Sequence, residues 1–405
     1  MSFGESLKAL EYVKSVPRYL AARYVGGRFE RLYTSPFSTV RLADVEPPPL
    51  PGPRWARVRP ILAGICGSDL ATITAQGTTY FSPFVSTPFV FGHEVVGEVV
   101  ETGAEVGRVA VGDRVALSPP LHCEVRGIEE LCAECRAGNT GHCTNVTGGA
   151  LSPGIQTGYC RDTGGGWSGS LVAHEVQLHR VPAGVSHEAA VLIEPLSCCM
   201  HAVERAAVPD EGTAVVLGCG TIGALTIAAL RAGGSRARVV AVAKYPHQQE
   251  TARRLGADVV LGTGKSMRGD LARELGTELH PTELGPPTSL GGADVTFDCI
   301  ATARTLDDAM RFTRARGAVI VVGMPGVPDG VDWTAMWHKE LDVRGSYTSD
   351  EETFGRAVAT AARLDALLVP LVGARFALAE WDQALRSALH SGETGVIKTV
   401  FAPGS

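Results

Sequence analysis

The segment Gly218-Cys219-Gly220-Thr221-Ile222-Gly223 follows directly on a β-branched run, Thr213 to Leu217, and opens a helical stretch, Ile222 to Ala232, ahead of another apolar strand, Arg238 to Ala243. A glycine-rich turn placed between a strand and a helix leaves the chain few options. The first glycine makes the tight turn, the second lets backbone approach a pyrophosphate, and the third lets the helix pack closely on the strand. Free N–H groups and the positive end of the helix dipole then face the phosphates. Gly218, Gly220, Thr221, Ile222 and Gly223 are therefore the candidate cofactor contacts.

In such a unit an acidic residue about 20 positions on usually bonds the ribose 2′-hydroxyl of NAD. Here that position is Ala243, followed by Lys244, so no carboxylate is present and a cation stands beside the gap. A 2′-phosphate would meet no repulsion and would find a charge partner. The pattern favours NADP over NAD, and a solvated surface Lys244 that accepts both cofactors is the alternative. Beyond this point strand and helix patterns keep alternating: a helix at His247 to Leu255, strands at Asp258 to Leu261 and Asp294 to Cys299, a helix near Leu306 to Arg314 and a strand at Ala318 to Gly323. That order predicts parallel βαβ units and an α/β fold.

Up to about residue 185 the pattern differs, with short apolar runs such as Val95 to Val100 and Arg114 to Leu117 bounded by Gly and Pro, which reads as a compact all-β region. A chain of 405 residues suits two domains better than one core. Its 37 Lys+Arg against 43 Asp+Glu give a net charge of −6 without basic blocks, which argues against nucleic acid or a membrane surface as partner. No uncharged apolar run is long enough to span a bilayer, and the first residues lack a signal-peptide pattern, so a cytoplasmic location is expected.

Four of the ten cysteines, Cys123, Cys132, Cys135 and Cys143, lie close together, separated by eight, two and seven residues. Thiols clustered at such spacings suit a closed, tetrahedral structural zinc site better than disulfides. Glu129 could replace Cys123 as an oxygen ligand, but a complete set of soft donors favours Cys123. A third group is dispersed: Gly64-Ile65-Cys66-Gly67-Ser68-Asp69, Gly92-His93-Glu94 and Glu194-Pro195. Thiolate, imidazole and one or two carboxylates can hold zinc while leaving a position open. Glu94 reads equally as a ligand or as a carboxylate beside one. Asp69 could orient the loop around zinc, but a helix cap is the better reading, and Trp167 receives no role.

Taken in order, the segments GICGSD at 64–69, GHEVVGEV at 92–99, GDRV at 112–115, the cysteine lobe at 123–143, IEPLS at 193–197 and GCGTIG at 218–223 resemble the zinc-dependent medium-chain alcohol dehydrogenase family, in its threonine and polyol dehydrogenase-like branch. The resemblance spans roughly residues 55 to 400. It implies a GroES-like, mostly β catalytic domain over 8–197 and 347–405, with the structural-zinc lobe at 123–143, and a Rossmann doubly wound domain over 198–346. It further implies that Cys66 and His93 bind catalytic zinc, that Glu194 is a direct or water-bridged ligand with which Glu94 can exchange, and that Ser68 takes the substrate proton. Two zinc ions per chain, a small alcohol or carbonyl substrate and a homodimer or homotetramer complete the expectation. The implied reaction is hydride transfer between an alcohol or polyol, or the matching aldehyde or ketone, and NAD(P). A non-catalytic dinucleotide-binding protein and a zinc-independent reductase are the alternatives. Two departures stand out: the family's proton-relaying His, five residues after the zinc-binding Cys, is here Ala71, and eight residues separate the first two lobe cysteines.

Overall fold

The computed structural model describes residues 6–404. The chain divides into two units: one comprises the chain through Glu194, Ser349–Ser391 and the residues from Lys398 onward, the other Pro195–Thr348 and Gly392–Ile397. Read from the sequence, the divisions fall instead after residues 197 and 346, with 392–397 in the first domain. That short stretch groups with the second unit because Thr221 Oγ1 donates to the Ile397 carbonyl (2.9 Å) and Gly392 lies against the Tyr245 ring, leaving no room for a Cβ.

The second unit is an all-parallel sheet of six strands, side by side in the order Val259–Leu261, Arg238–Val242, Thr213–Leu217, Ala293–Asp298, Thr313–Val321 and Asp342–Gly345. In chain order this is 3-2-1-4-5-6, the doubly wound arrangement whose order reverses beside the first strand. Helices Thr221–Ala232, Pro246–Arg254, Met267–Glu274 and Ala303–Phe312 form the connections. The central strands Thr213–Leu217 and Arg238–Val242 are near-continuous apolar runs because helices bury both sheet faces. Val215, Val240, Ala293, Phe312 and Val319 are fully buried in one cluster.

In the first unit, strands Val372–Phe376, Lys398–Phe401, Trp55–Gly64, Val95–Thr102, Arg114–Leu117 and Leu178–Arg180 lie in that order, and Leu171–His174 also pairs with Trp55–Gly64. All these pairings are antiparallel except the first, which is parallel. The region expected to be all-β also holds helices Val16–Tyr24 and Gly67–Ile73. Strand Leu7–Tyr12 pairs with Val40–Val45 and bonds two neighbouring segments, with the Leu10 amide donating to Trp167 (2.9 Å) and the Phe91 amide to Leu10 (3.1 Å). Phe91, two residues before His93, stacks on Trp167, whose ring meets Phe401 edge-on in the core. Among the described residues no helix is long and apolar enough to cross a membrane.

Candidate active site

Cys66 follows strand Trp55–Gly64 and caps helix Gly67–Ile73. The helix start is closed by Asp69, whose Oδ2 accepts the Cys66 amide at 3.0 Å. This is the capping role expected for Asp69, but the carboxylate does more. Fully buried, it accepts the Tyr159 hydroxyl on Oδ1 (3.2 Å), and the same oxygen stands 3.5 Å from His93 Nδ1. Asp69 thus joins the loop holding Cys66 to the ring of His93, which comes from the turn before strand Val95–Thr102.

Glu94 points into the same place. A Cβ at position 64 would lie 1.8 Å from its Oε2, so only glycine lets the carboxylate reach the site. Lys398, on the returning strand Lys398–Phe401, is ion-paired with Glu94 and donates to the Ile65 carbonyl at 3.0 Å. Trp167 holds the base of the loop, its indole Nε1 donating to the Gly64 carbonyl (3.0 Å). The donor atoms of Cys66, His93 and Glu94 all fall within 4.8 Å of one another.

The electrostatics suit a cation. Burial alone would lower the pKa of His93, yet Asp69 and Cys66 raise it well above its ordinary value. Burial would likewise lower Lys398, and Glu94, Cys66 and Glu194 raise it. Burial pushes the Tyr159 phenol well up, and Asp69 pushes it further. A buried imidazole with a carboxylate at its Nδ1, beside a thiol and a second carboxylate, is a donor set zinc favours. Three such ligands leave a position open.

Glu194 lies in the first turn of helix Ile193–Ala206 and is 8% exposed, but its carboxylate lies outside that group of three. Its charge is felt at Lys398 instead. Ser68 sits half-buried in the first turn after Cys66. On the same helix Ala71 offers no ionisable group, and the next residue, Thr72, donates its hydroxyl to the Ser68 carbonyl (2.9 Å) and stands 3.5 Å from the Tyr159 oxygen.

The other cluster brings the Sγ atoms of Cys123, Cys132, Cys135 and Cys143 within 4.8 Å of one another. Cys143 lies 3.6 Å from Cys123 and 4.0 Å from Cys132, too far for disulfides and close to the roughly 3.8 Å edge of a tetrahedron with metal–sulfur bonds of about 2.3 Å. N–H groups point at the sulfurs: Cys132 at Cys123 (3.4 Å), Cys135 at Cys132 (3.4 Å), and the backbone and side chain of Asn145 at Cys143 (3.4 Å) and Cys123 (3.3 Å). Burial would raise Cys132, but bonds from Cys135 and Thr144 bring it down to about 6, whereas burial pushes Cys143 up to about 11. Glu129 is exposed and outside the group.

In the second unit Gly218 adopts φ +85°, and a Cβ on Gly223 would sit 1.8 Å from the Gly218 carbonyl, so turn and helix packing both need glycine. Gly220 caps helix Thr221–Ala232, whose opening N–H groups include those of Thr221 and Ile222. Ala243 is fully buried, its amide bonding Leu261 (2.8 Å). Lys244 is exposed and rests its ammonium 4.9 Å over the Tyr245 ring.

Sequence reasoning missed Lys398, Tyr159 and the second bond of Asp69. Only Asp69 left a signal, an acidic residue three positions after a metal-type Cys at a helix start.

Two family models match, the alcohol dehydrogenase GroES-like domain over residues 52–183 and the zinc-binding dehydrogenase over 221–363. L-idonate 5-dehydrogenase from Vitis vinifera is 31% identical over 310 residues, 76% of this chain and 78% of that protein. Sorbitol dehydrogenase from Arabidopsis thaliana is 33% identical over 303 residues, 74% and 75% of the two chains. Among solved structures, a zinc-binding dehydrogenase from Sinorhizobium meliloti bound to NADP superposes with a TM-score of 0.71 at 23% identity, covering 98% of this chain and 99% of that one. The two units are GroES-like and Rossmann-type, and the chain belongs to the zinc-dependent medium-chain dehydrogenases, in the polyol- and threonine-dehydrogenase-like branch that exchanges hydride between alcohols and NAD(P).

Proposed function

We propose that this chain interconverts a polyol and its ketose or aldose, with a catalytic zinc held by Cys66, His93 and Glu94, a structural zinc held by Cys123, Cys132, Cys135 and Cys143, and NADP preferred to NAD. The observation that carries the reading is the convergence of half-buried Cys66 with buried His93 and Glu94. Relatives named for sorbitol, L-idonate and D-arabitol phosphate point to polyhydroxylated substrates.

When bound, the zinc lowers the pKa of a coordinated hydroxyl or polarises a carbonyl, and the nicotinamide accepts or returns the hydride. The remaining work falls to side chains. Asp69 fixes the tautomer and angle of His93, which raises its basicity as a ligand. Lys398 balances Glu94, so the carboxylate can stay ionised away from water or turn toward the metal. Ser68 accepts the substrate proton, and with Ala71 in place of a relaying His, the hydroxyls of Tyr159 and Thr72 are the groups beside it. Glu194 fits a water-bridged role. The turn from Gly218 to Gly223 takes the dinucleotide phosphates, and the carboxylate-free end of strand Arg238–Val242 with Lys244 leaves space and charge for a 2′-phosphate.

The reading extends to a homodimer or homotetramer, checked by sedimentation, and to the cytoplasm, whose reducing conditions suit ten free cysteines. Neither a non-catalytic binding protein nor a zinc-independent reductase gains support from any observation. The test is metal analysis with a panel of polyols, simple alcohols, ketoses and aldehydes, each with NAD and NADP. Two zinc per chain with polyol turnover is expected. Cys66→Ser or His93→Ala should remove one zinc and all turnover. Activity in metal-depleted protein, or turnover of simple alcohols alone, would overturn the reading.

A further inference from the structure

Arg126 lies in the eight-residue stretch between Cys123 and Cys132 and is completely buried. A guanidinium has five N–H donors, and here each one meets a backbone carbonyl. Nε donates to Leu121 (3.0 Å), Nη1 to Gly148 (2.6 Å) and Leu151 (3.1 Å), and Nη2 to Ser152 (3.1 Å) and Gly154 (2.8 Å). Its own carbonyl accepts the Ala150 amide at 2.9 Å. One side chain therefore ties the segment ahead of the first thiol to the loop behind the last.

That loop begins just after Asn145, which donates to the sulfurs of both Cys123 and Cys143. Any slackening of residues 148–154 is thus transmitted to two of the four donor atoms. The eight-residue connection between Cys123 and Cys132 costs more entropy to order than a short one, and such a brace offsets part of that cost.

Charge gives a second argument. Carbonyl oxygens satisfy the five donors but do not neutralise the cation, and a buried charge without a counter-charge is costly. Among the described residues no carboxylate lies within the 4.0 Å that defines an ion pair with Arg126. Burial works against its charge, and the groups near enough to favour it are the sulfurs of Cys160, Cys143 and Cys123 and the Asp162 carboxylate. Four thiolates around one divalent ion carry about two net negative charges, so a filled lobe supplies what the guanidinium lacks.

We propose that Arg126 is the positioning residue of the cysteine lobe, bracing its two flanking segments and balancing the charge of a metal–tetrathiolate centre. The inference rests on the reading of the four cysteines as a zinc site. It assigns to the insertion between Cys123 and Cys132 a purpose that spacing alone does not reveal.

The test uses the full-length holoenzyme, with zinc release into a chromogenic chelator followed for wild type, R126K and R126M, each also in a Cys66→Ser background where only lobe zinc remains. Lysine keeps the charge but at most three donors, and methionine keeps neither. Release about tenfold faster for R126M, with R126K in between, is expected, together with weakened sulfur-to-metal charge-transfer absorption after cobalt substitution. Should R126M not accumulate in folded form, R126K decides: faster release supports the proposal and wild-type release overturns it. Wild-type release in both variants overturns it as well. Absence of zinc from the Cys66→Ser protein itself defeats the underlying reading together with the inference, whereas one zinc there with unchanged release defeats the inference alone.

Discussion

Asp69 sets its Oδ1 atom 3.5 Å from Nδ1 of His93 while its other oxygen holds the Cys66 amide. One carboxylate thus orients two candidate ligands, and its loss is felt at both. Asp69→Asn should weaken zinc binding at this site about 10- to 100-fold, with lobe zinc unchanged. Competition against a chelator measures it, and equal affinity would show that Asp69 acts as a helix cap alone.

Lys398 and Glu94 are each nearly fully buried, and neither has water to replace its partner. Lys398→Met strands a carboxylate and should cost about 3–5 kcal/mol of stability. Lys398→Met with Glu94→Gln should recover much of that. Denaturant unfolding of the single and double variants provides the comparison, and additive losses would rule out the coupling.

The proposed preference for NADP rests on the end of strand Arg238–Val242. Ala243→Asp puts a carboxylate where a 2′-phosphate would lie and should shift the NADP-to-NAD ratio of kcat/KM toward NAD by about tenfold or more. Lys244→Ala should lower NADP use with little effect on NAD. A wild-type preference for NAD would contradict both statements.

Acid should unfold the first unit early. Burial, with Arg54 nearby, holds His174 down at about 4, and its Nδ1 accepts the Val176 amide (3.4 Å), so the folded protein needs the neutral ring. Burial holds His179 at about 4 as well. Glu175 would be raised by burial, yet Arg54 and the amides of Gly107 and Arg108 bring it to about 2. Both histidines have lowered folded pKa values, so the unfolded chain binds more protons below its own value of about 6.5, and stability falls from there down to about pH 4. The Glu175 contribution is present above about 4.5 and lost toward 2. A fall in Tm on the order of 5 °C between pH 6.5 and 4 is expected, and His174→Gln should flatten it.

Legibility of the sequence followed locality. Turn and ladder signals within a few residues, as at Gly218 to Gly223, located their elements closely, and strand Thr213–Leu217 stands where its β-branched run lies. Strand Asp342–Gly345 was not legible, because four residues of mixed polarity at a sheet edge carry no alternation. Helix Glu351–Leu368 was missed because its buried stripe is built from Thr353, Ala357, Thr360 and Ala361 as much as from Phe354 and Leu368. At the site, the metal-type residues announced themselves by chemistry, whereas Lys398 and Tyr159 come from distant segments and are ordinary residues until the sheet brings them in.

The strand carrying Lys398 follows the whole Rossmann sheet along the chain, yet it pairs with Trp55–Gly64, which precedes that sheet. A nascent chain emerging from the ribosome can complete the Rossmann sheet while this edge is still bare. Buried Glu94 stays without its cation until that strand has been made, so a chain interrupted between the two holds a whole Rossmann sheet and an unbalanced carboxylate.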